Sequence, residues 1–363
     1  MDIVFAGTPE VAVPALEALV ASAHTVRAVL TRPDAPVGRK RVLTPSPVKA
    51  RALELGLPVI EADRLRGDVI GQLREIGADA VAVVAYGAIA GPAALSTARL
   101  GWFNLHFSLL PAHRGAAPVQ RALIAGETTS GVSVFRIDTG MDTGDVVRTR
   151  TLPLDQPDAA AALAAYAEVG AGELVAAFDD LAAGTAVFTS QDALIATGSQ
   201  PSHAEKITAA DAHLDLTRPA AEVIARSRGV SPAPGPWVTV DGKRTKLFGL
   251  APVGGDAAGT QAPTASADIG LLTARDGAAV LGVGDGWLQV SEIQPFGKPR
   301  MSAADYLRGH GDVRIDAVAA DYLRGHGDVR IDAVAADAPA DAAVPTDADA
   351  STDAGRATTS KEA

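Results

Sequence analysis

The 363-residue chain contains no cysteine. That excludes a disulfide framework, a thiolate nucleophile and any metal site built on sulfur. The opening residues 1–6 (MDIVFA) lack a basic n-region and run straight into a short apolar strand, so a signal peptide is not expected. No apolar run in the sequence reads as long enough to span a bilayer, and a soluble cytoplasmic protein with no membrane partner is the expectation. The first turn reads Gly7-Thr8-Pro9-Glu10 where a dinucleotide fold would carry Gly-x-Gly-x-x-Gly, and no phosphate-loop lysine motif follows.

What is present is a chain with 47% hydrophobic residues, enough for sizeable cores, and a length that suggests two domains plus a tail. Net charge is -11, but it is unevenly spread. Residues 312–363 hold 11 acids and 5 bases, a net of -6. Residues 27–51 hold 7 bases and the single acid Asp34. A basic stretch can meet a phosphate backbone even on an acidic protein, although charge alone equally describes a solvated loop.

Patterning divides the chain. Short apolar strands at 2–5, 26–30, 57–60, 80–85 and 101–105 alternate with helical spacing at 11–20, 48–56, 69–77 and 119–125. Residues 129–137 and 146–152 read as a strand pair, and 159–181 as an alanine-rich helix. Alternation of this kind predicts an α/β domain with a largely parallel, Rossmann-like sheet. Ligands in such sheets lie outside the carboxyl ends of the strands. Residues 31–48, with four prolines and Gly38, read as one long loop. A break falls near 198–210. After a helix at 219–228, strands at 237–240, 246–250, 279–283 and 287–293 carry the grammar of a small β-barrel. The expected domains are 1–200, 201–311 and a tail, 312–363. Residues 303–318 (AADYLRGHGDVRIDAV) recur identically at 319–334. Two copies of so short a unit do not make a solenoid, and the low-complexity remainder reads as disordered.

The chemistry concentrates in Asn104, His106 and Asp142. Asn104 and His106 are two apart in an extended segment, so their side chains share a face. A histidine exchanges protons near neutral pH, and an asparagine can donate to an oxygen gaining charge. Asp142 lies between Gly140 and Gly144, where the backbone can turn a carboxylate toward the histidine. The trio suits acyl transfer to an amine, and no Ser or Cys stands in a nucleophile motif. Spacing alone equally permits a structural histidine, a turn-capping asparagine and an aspartate that satisfies loop amides.

Resemblance narrows this. The segment Ser108-Leu109-Leu110-Pro111, the run Arg114-Gly115-Ala116-Ala117-Pro118-Val119-Gln120 and the run Gly140-Met141-Asp142-Thr143-Gly144-Asp145 closely resemble the methionyl-tRNA formyltransferases. The Asn/His/Asp core itself looks like the one shared by enzymes that use 10-formyltetrahydrofolate, glycinamide ribonucleotide formyltransferase among them. The turn Phe5 to Glu10, the loop from Arg32 through Gly38-Arg39 to Lys49, the Pro234-Gly235-Pro236-Trp237 run and Gly297 to Met301 resemble further parts of the tRNA enzyme. Together they span residues 2–311.

The resemblance implies transfer of a formyl group from 10-formyltetrahydrofolate to the α-amine of methionyl initiator tRNA, through a tetrahedral intermediate, with no metal. It implies a C-terminal OB-like barrel that helps hold tRNA, and a monomer. By carry-over, Asn104 and His106 stabilise the oxyanion, and Asp142 orients His106 and helps move the proton. Folate is expected along Tyr86, Gly87, Leu105, Ser108, Leu109, Leu110 and Pro111, closed by Ile137 and Gly140. Arg39, then Lys40 and Arg41, are expected to meet tRNA. Ala112-His113 and Phe107 depart from the family pattern beside the site. A formyltransferase for a sugar-nucleotide amine, or a non-catalytic RNA-binding protein, are the competing readings.

Overall fold

The computed structural model describes residues 1–38, 40–253 and 268–315. The N-terminal half forms β1 (Asp2–Gly7), a 3-10 turn (Glu10–Ala12), α1 (Val13–Ala21), β2 (Thr25–Thr31), β3 (Ala35–Val37), β4 (Val42–Thr44), α2 (Pro47–Glu54) and β5 (Val59–Glu61). It continues with α3 (Asp68–Ile76), β6 (Ala80–Val84), α4 (Pro92–Leu95), β7 (Gly101–His106), α5 (Pro118–Ile124), β8 (Thr129–Arg136), β9 (Val146–Pro153), α6 (Ala159–Ala183) and α7 (Gln191–Ala196). Seven strands make one sheet in the order β5-β2-β1-β6-β7-β8-β9. The first five run parallel, and β8 and β9 close the edge antiparallel.

Two apolar layers cover this sheet. On one face Phe103 and Leu105 pack toward α6, with Phe103 and Phe178 edge to face at 5.8 Å between ring centroids. Gly170 lets α6 approach, because a Cβ there would stand 2.9 Å from Leu105 Cδ2. On the other face Val4, Ala6, Val81, Val83 and Trp102 pack with Ile70 and Leu73 of α3 and Ala94 of α4. Residues two apart share a face, so Trp102, Asn104 and His106 project on this second side. That cover gives way to polar residues at the end of β7.

α6 is a correction to the reading of apolar runs. At 25 residues it is long and apolar enough by composition to cross a membrane. Its Tyr166, Leu174, Ala177 and Phe178 are buried in the sheet core, each large side chain contributing about 1.5–3 kcal/mol. Packing against its own sheet explains its composition. The expected long loop at 31–48 also differs: it contains a hairpin, β3 with β4, and Gly38 and Arg41 beside its tip are left-handed.

The C-terminal half forms α8 (Ala220–Gly229), β10 (Trp237–Val240), β11 (Lys243–Pro252), β12 (Leu271–Arg275), β13 (Ala278–Val283), β14 (Gly286–Gln294), β15 (Met301–Ser302), α9 (Ala303–His310) and β16 (Val313–Arg314). All sheet pairings are antiparallel, in the order β10-β11-β14-β13-β12-β16, and the sheet curls into a nearly closed barrel around Leu247, Leu281, Leu288 and Ile293. The halves meet through α5 and α8. Arg228 donates to the carbonyls of Leu154 (2.8 Å) and Gln156 (2.7 Å), and Arg121 pairs with Asp211 at 2.8 Å.

The first repeat copy is built into the barrel. Ser302 caps α9, Leu307 and Ile315 enter the core, and β16 pairs with β12. The second copy and the low-complexity tail lie outside the described residues. Excising 319–334 yields the same polypeptide as excising 303–318, with every one of those contacts available. Its melting temperature should therefore stay within about 2 °C of the parent, as for a surface change. A larger drop in a thermal melt would give the second copy a stabilising role.

Candidate active site

β7 presents Asn104 and His106 on one face, and its antiparallel pairing with β8 sets Phe135 opposite Asn104. Phe135 meets the His106 ring edge-on at 6.3 Å between centroids. The β8–β9 connection leaves near the start of β7, where Ile137 N–H donates to the Trp102 carbonyl at 2.8 Å. It then folds back over that face and delivers Asp142 to His106.

His106 is 5% exposed. Burial pushes its pKa below the ordinary histidine value of 6.5, with Asp142 opposing the shift. The ring is therefore neutral at pH 7 and carries one hydrogen. Its Nε2 lies 2.9 Å from the carbonyl oxygen of His113, which can only accept. The hydrogen sits on Nε2, and Nδ1 presents a lone pair toward Asp142 Oδ2, 3.8 Å away. The ring is thus oriented by the His113 carbonyl, and Asp142 stands beyond hydrogen-bond range of it.

Asp142 is itself tightly placed. Its Oδ2 accepts the Gly115 N–H at 2.8 Å, and its backbone is left-handed (φ 54). Gln191, 2% exposed, donates to the carbonyls of Asp142 (2.8 Å) and Gly144 (2.9 Å) and accepts from Arg114 Nε at 2.9 Å. Gly144 has to be glycine, since a Cβ would overlap the Arg136 carbonyl oxygen. Gln191 carries no motif in the sequence. Only its position beside the helix cap Ser190 marks it, and nothing there announces a reach back to residue 142.

Asn104 is half-buried, and its side-chain amide makes no hydrogen bond to any described residue. It is an unengaged donor on the strand face that it shares with His106. The trio expected from the sequence is therefore assembled on one face: a donor, a neutral imidazole and a carboxylate.

The residues expected around folate fall into two groups. Tyr86 is 2% exposed and its hydroxyl donates to the Ala62 carbonyl at 2.7 Å, so the side chain is engaged in the core; burial lifts its pKa to about 12. The Leu105 side chain packs on the α6 face, away from the site. Leu110 packs with Phe135 and Val146, while Ser108 Oγ donates to the Ala112 carbonyl at 2.6 Å. Pro111 is buried and Leu109 lies near Gly131. Gly87 and Gly140 are exposed and Ile137 is half-buried. Exposed Ile89 and Met141 add apolar surface in the same two loops.

The basic stretch is smaller in space than in sequence. Arg27 pairs with Asp2, Arg32 with Asp63, Lys49 with Asp34 and Glu61, and Arg51 with Glu17 and Glu54. Lys40 and Arg41 are exposed at the β3–β4 tip with no acidic partner among the described residues. Arg39 lies outside the described residues. Among the described residues no group of three or more His, Asp or Glu could hold a metal ion.

Residues 1–174 match the family described as formyl transferase, and residues 206–311 match its C-terminal domain. Matches over both halves of this fold define a formyl transferase. A methionyl-tRNA formyltransferase of Leifsonia xyli subsp. xyli is 49% identical over 313 residues, covering 86% of this chain and 98% of that relative. Among solved structures, a variant of HypX from Aquifex aeolicus superposes with a TM-score of 0.57 at 19% identity, over 85% of this chain but 47% of that longer one. An N-formyltransferase from Helicobacter canadensis gives 0.57 at 17% identity, over 81% of this chain and 99% of that one. At those identities the likeness is one of fold. The chain belongs to the methionyl-tRNA formyltransferase family.

Proposed function

We propose that this protein moves the formyl group of 10-formyltetrahydrofolate onto the α-amine of methionyl initiator tRNA in the cytoplasm, acting as a monomer. The observation that carries the reading is the convergence of Asn104, His106 and Asp142 on one sheet face in a chain of this family.

The surface beside the trio suits the donor. Exposed Ile89 and Met141 offer apolar surface, and the exposed backbone at Gly87 and Gly140 offers hydrogen-bonding groups for a flat heterocycle. Of the folate residues named from the sequence, Gly87, Ser108 to Pro111, Ile137 and Gly140 act through backbone and shape. Tyr86 and Leu105 act from behind, by packing. The bound donor supplies the activated formyl group. The unengaged Asn104 amide donates to the formyl oxygen as it gains charge; His106, expected from the resemblance to share that role, has its one hydrogen committed to the His113 carbonyl and acts instead as the proton acceptor. An α-amine has a pKa of about 7.7–8.0, so a neutral fraction attacks without a strong base. As the new C–N bond forms, the carbonyl π pair moves onto the oxygen, and the His106 Nδ1 lone pair takes the proton that the nitrogen loses. Asp142 stabilises the imidazolium so formed across the 3.8 Å gap. The tetrahedral intermediate then collapses with cleavage of the bond from the formyl carbon to N10, and that proton passes to N10 so that tetrahydrofolate leaves neutral.

Residues 1–200 are the catalytic domain in this reading, and 201–311, with β16 and Ile315 completing its barrel, the OB-like domain that holds tRNA. The β3–β4 tip meets the acceptor end through Arg39, Lys40 and Arg41. Arg39→Glu should weaken charged-tRNA binding and lower the slope of log affinity against log salt by about 1, leaving folate affinity unchanged. Equal losses for both ligands would remove Arg39 from the tRNA contact.

The deciding assay offers 10-formyltetrahydrofolate with charged initiator tRNA, elongator methionyl-tRNA or an amino sugar nucleotide. Formylation of the initiator tRNA alone is expected. Formylation of the sugar nucleotide would replace the acceptor, and no transfer to any of them would end the reading.

A further inference from the structure

The left-handed turn at His113 holds the carbonyl that fixes His106. His113 has φ 56, a conformation disfavoured for a residue with a Cβ. Four contacts hold it there. His113 N–H donates to Ser202 Oγ at 2.8 Å, and the following Arg114 N–H donates to the Ser202 carbonyl at 2.9 Å. The His113 carbonyl accepts from His106 Nε2. The His113 ring, with its side chain 10% exposed, sets Nε2 2.7 Å from Glu127 Oε1.

Glu127 follows directly on the end of α5, where its N–H donates to the Ala122 carbonyl at 3.1 Å. Its backbone is therefore anchored to a helix that also carries the contact with α8. The other nitrogen of the His113 ring, Nδ1, is buried without a partner. All of the ring's polar satisfaction comes from Glu127. Releasing that contact leaves a buried ring with no partner and removes one of the four contacts that hold the turn, the one made through the side chain.

We propose that Glu127 and His113 form a positioning pair: they hold the His113 carbonyl against His106 and so fix His106 with its hydrogen on Nε2 and its lone pair on Nδ1. Neither side chain touches the reacting atoms. The role rests on the reading of His106 as proton acceptor given above. It belongs to a histidine in a left-handed turn and to a glutamate that no motif singled out.

The experiment records 15N shifts of the His106 ring, without folate or tRNA, in the parent and in Glu127→Ala, Glu127→Gln, His113→Gly and the double variant Glu127→Ala/His113→Gly. Kinetics are measured in parallel on the same proteins. The parent should show the Nε2–H tautomer. Glu127→Ala should populate the other tautomer and lower kcat about ten- to a hundredfold, with both KM values within about twofold. Glu127→Gln keeps an acceptor and should restore both readouts. Glycine adopts the left-handed turn freely, so in the His113→Gly background Glu127→Ala should have no further effect. A parent-like tautomer in Glu127→Ala overturns the proposal, as does an equal Glu127→Ala penalty in both backgrounds. Because the tautomer is read without substrates, it decides this point even if the transfer reaction proposed above fails.

Discussion

Asn104→Ala should lower kcat by about 10²–10³-fold, equivalent to about 3–4 kcal/mol of transition-state stabilisation, while the KM values for folate and charged tRNA change little. The size follows from what the amide lacks. It is half-buried on the face shared with His106 and engages no described residue, so none of its hydrogen-bonding capacity is committed to the fold. Removing it leaves no orphaned partner, and the melting temperature should be close to that of the parent. Asn104→Asp is the sharper companion. It keeps the shape but sets a negative charge where charge develops, so it should be at least as damaging as alanine. Steady-state and single-turnover rates at saturating substrates check both. Near-normal turnover in Asn104→Ala would remove it from the reacting oxygen.

The arrangement around Asn104 was only partly legible from the chain. The spacing of Asn104 and His106 predicts a shared face because strand periodicity is a local rule, and the strand Gly101–His106 obeys it. The strands and helices of the parallel sheet follow from apolar runs between turn residues, and most lie within two residues of where patterning puts them. The hairpin inside residues 31–48 was hidden because its strands are three residues long and exposed on every side chain, leaving no alternation to read. β12 was hidden for want of a pattern, with Leu272 its one buried residue of five. The partners of the active-site groups are less legible still. Gln191 holds Asp142 across 49 positions, and Ser202 holds His113 across 89. Such contacts depend on where two distant segments are brought by the sheet, and no local pattern encodes them. The sequence assigns the orienting of His106 to Asp142, the nearest candidate by motif; the acceptor that orients it is a backbone carbonyl, which carries no side-chain signature at all.

Asp142→Asn should lower kcat by about 10²–10³-fold, within the usual range for a group that assists proton transfer. The substitution isolates charge from structure. An asparagine oxygen can still accept the Gly115 N–H that Asp142 Oδ2 accepts at 2.8 Å, and the left-handed backbone suits asparagine as well as aspartate. Gln191 grips the main chain at this position and is indifferent to the side chain. What disappears is the negative charge 3.8 Å from His106 Nδ1. The sign of the pH effect follows. Burial already holds the His106 pKa below 6.5, and Asp142 is the larger of two influences raising it, the hydrogen bond with the His113 carbonyl being the other, so loss of the Asp142 charge moves that pKa further down. Transfer needs neutral His106, and activity is lost on acidification as the ring becomes protonated. The acid limb belonging to His106 should therefore lie below pH 6.5 in the parent and shift to lower pH in Asp142→Asn, even as the plateau falls. A plateau that falls with an unmoved or upward-shifted acid limb would mean that Asp142 acts on the loop or the substrate and not on the imidazole. Asp142→Ala loses the Gly115 contact as well, so its extra deficit over Asp142→Asn measures the structural share of the carboxylate.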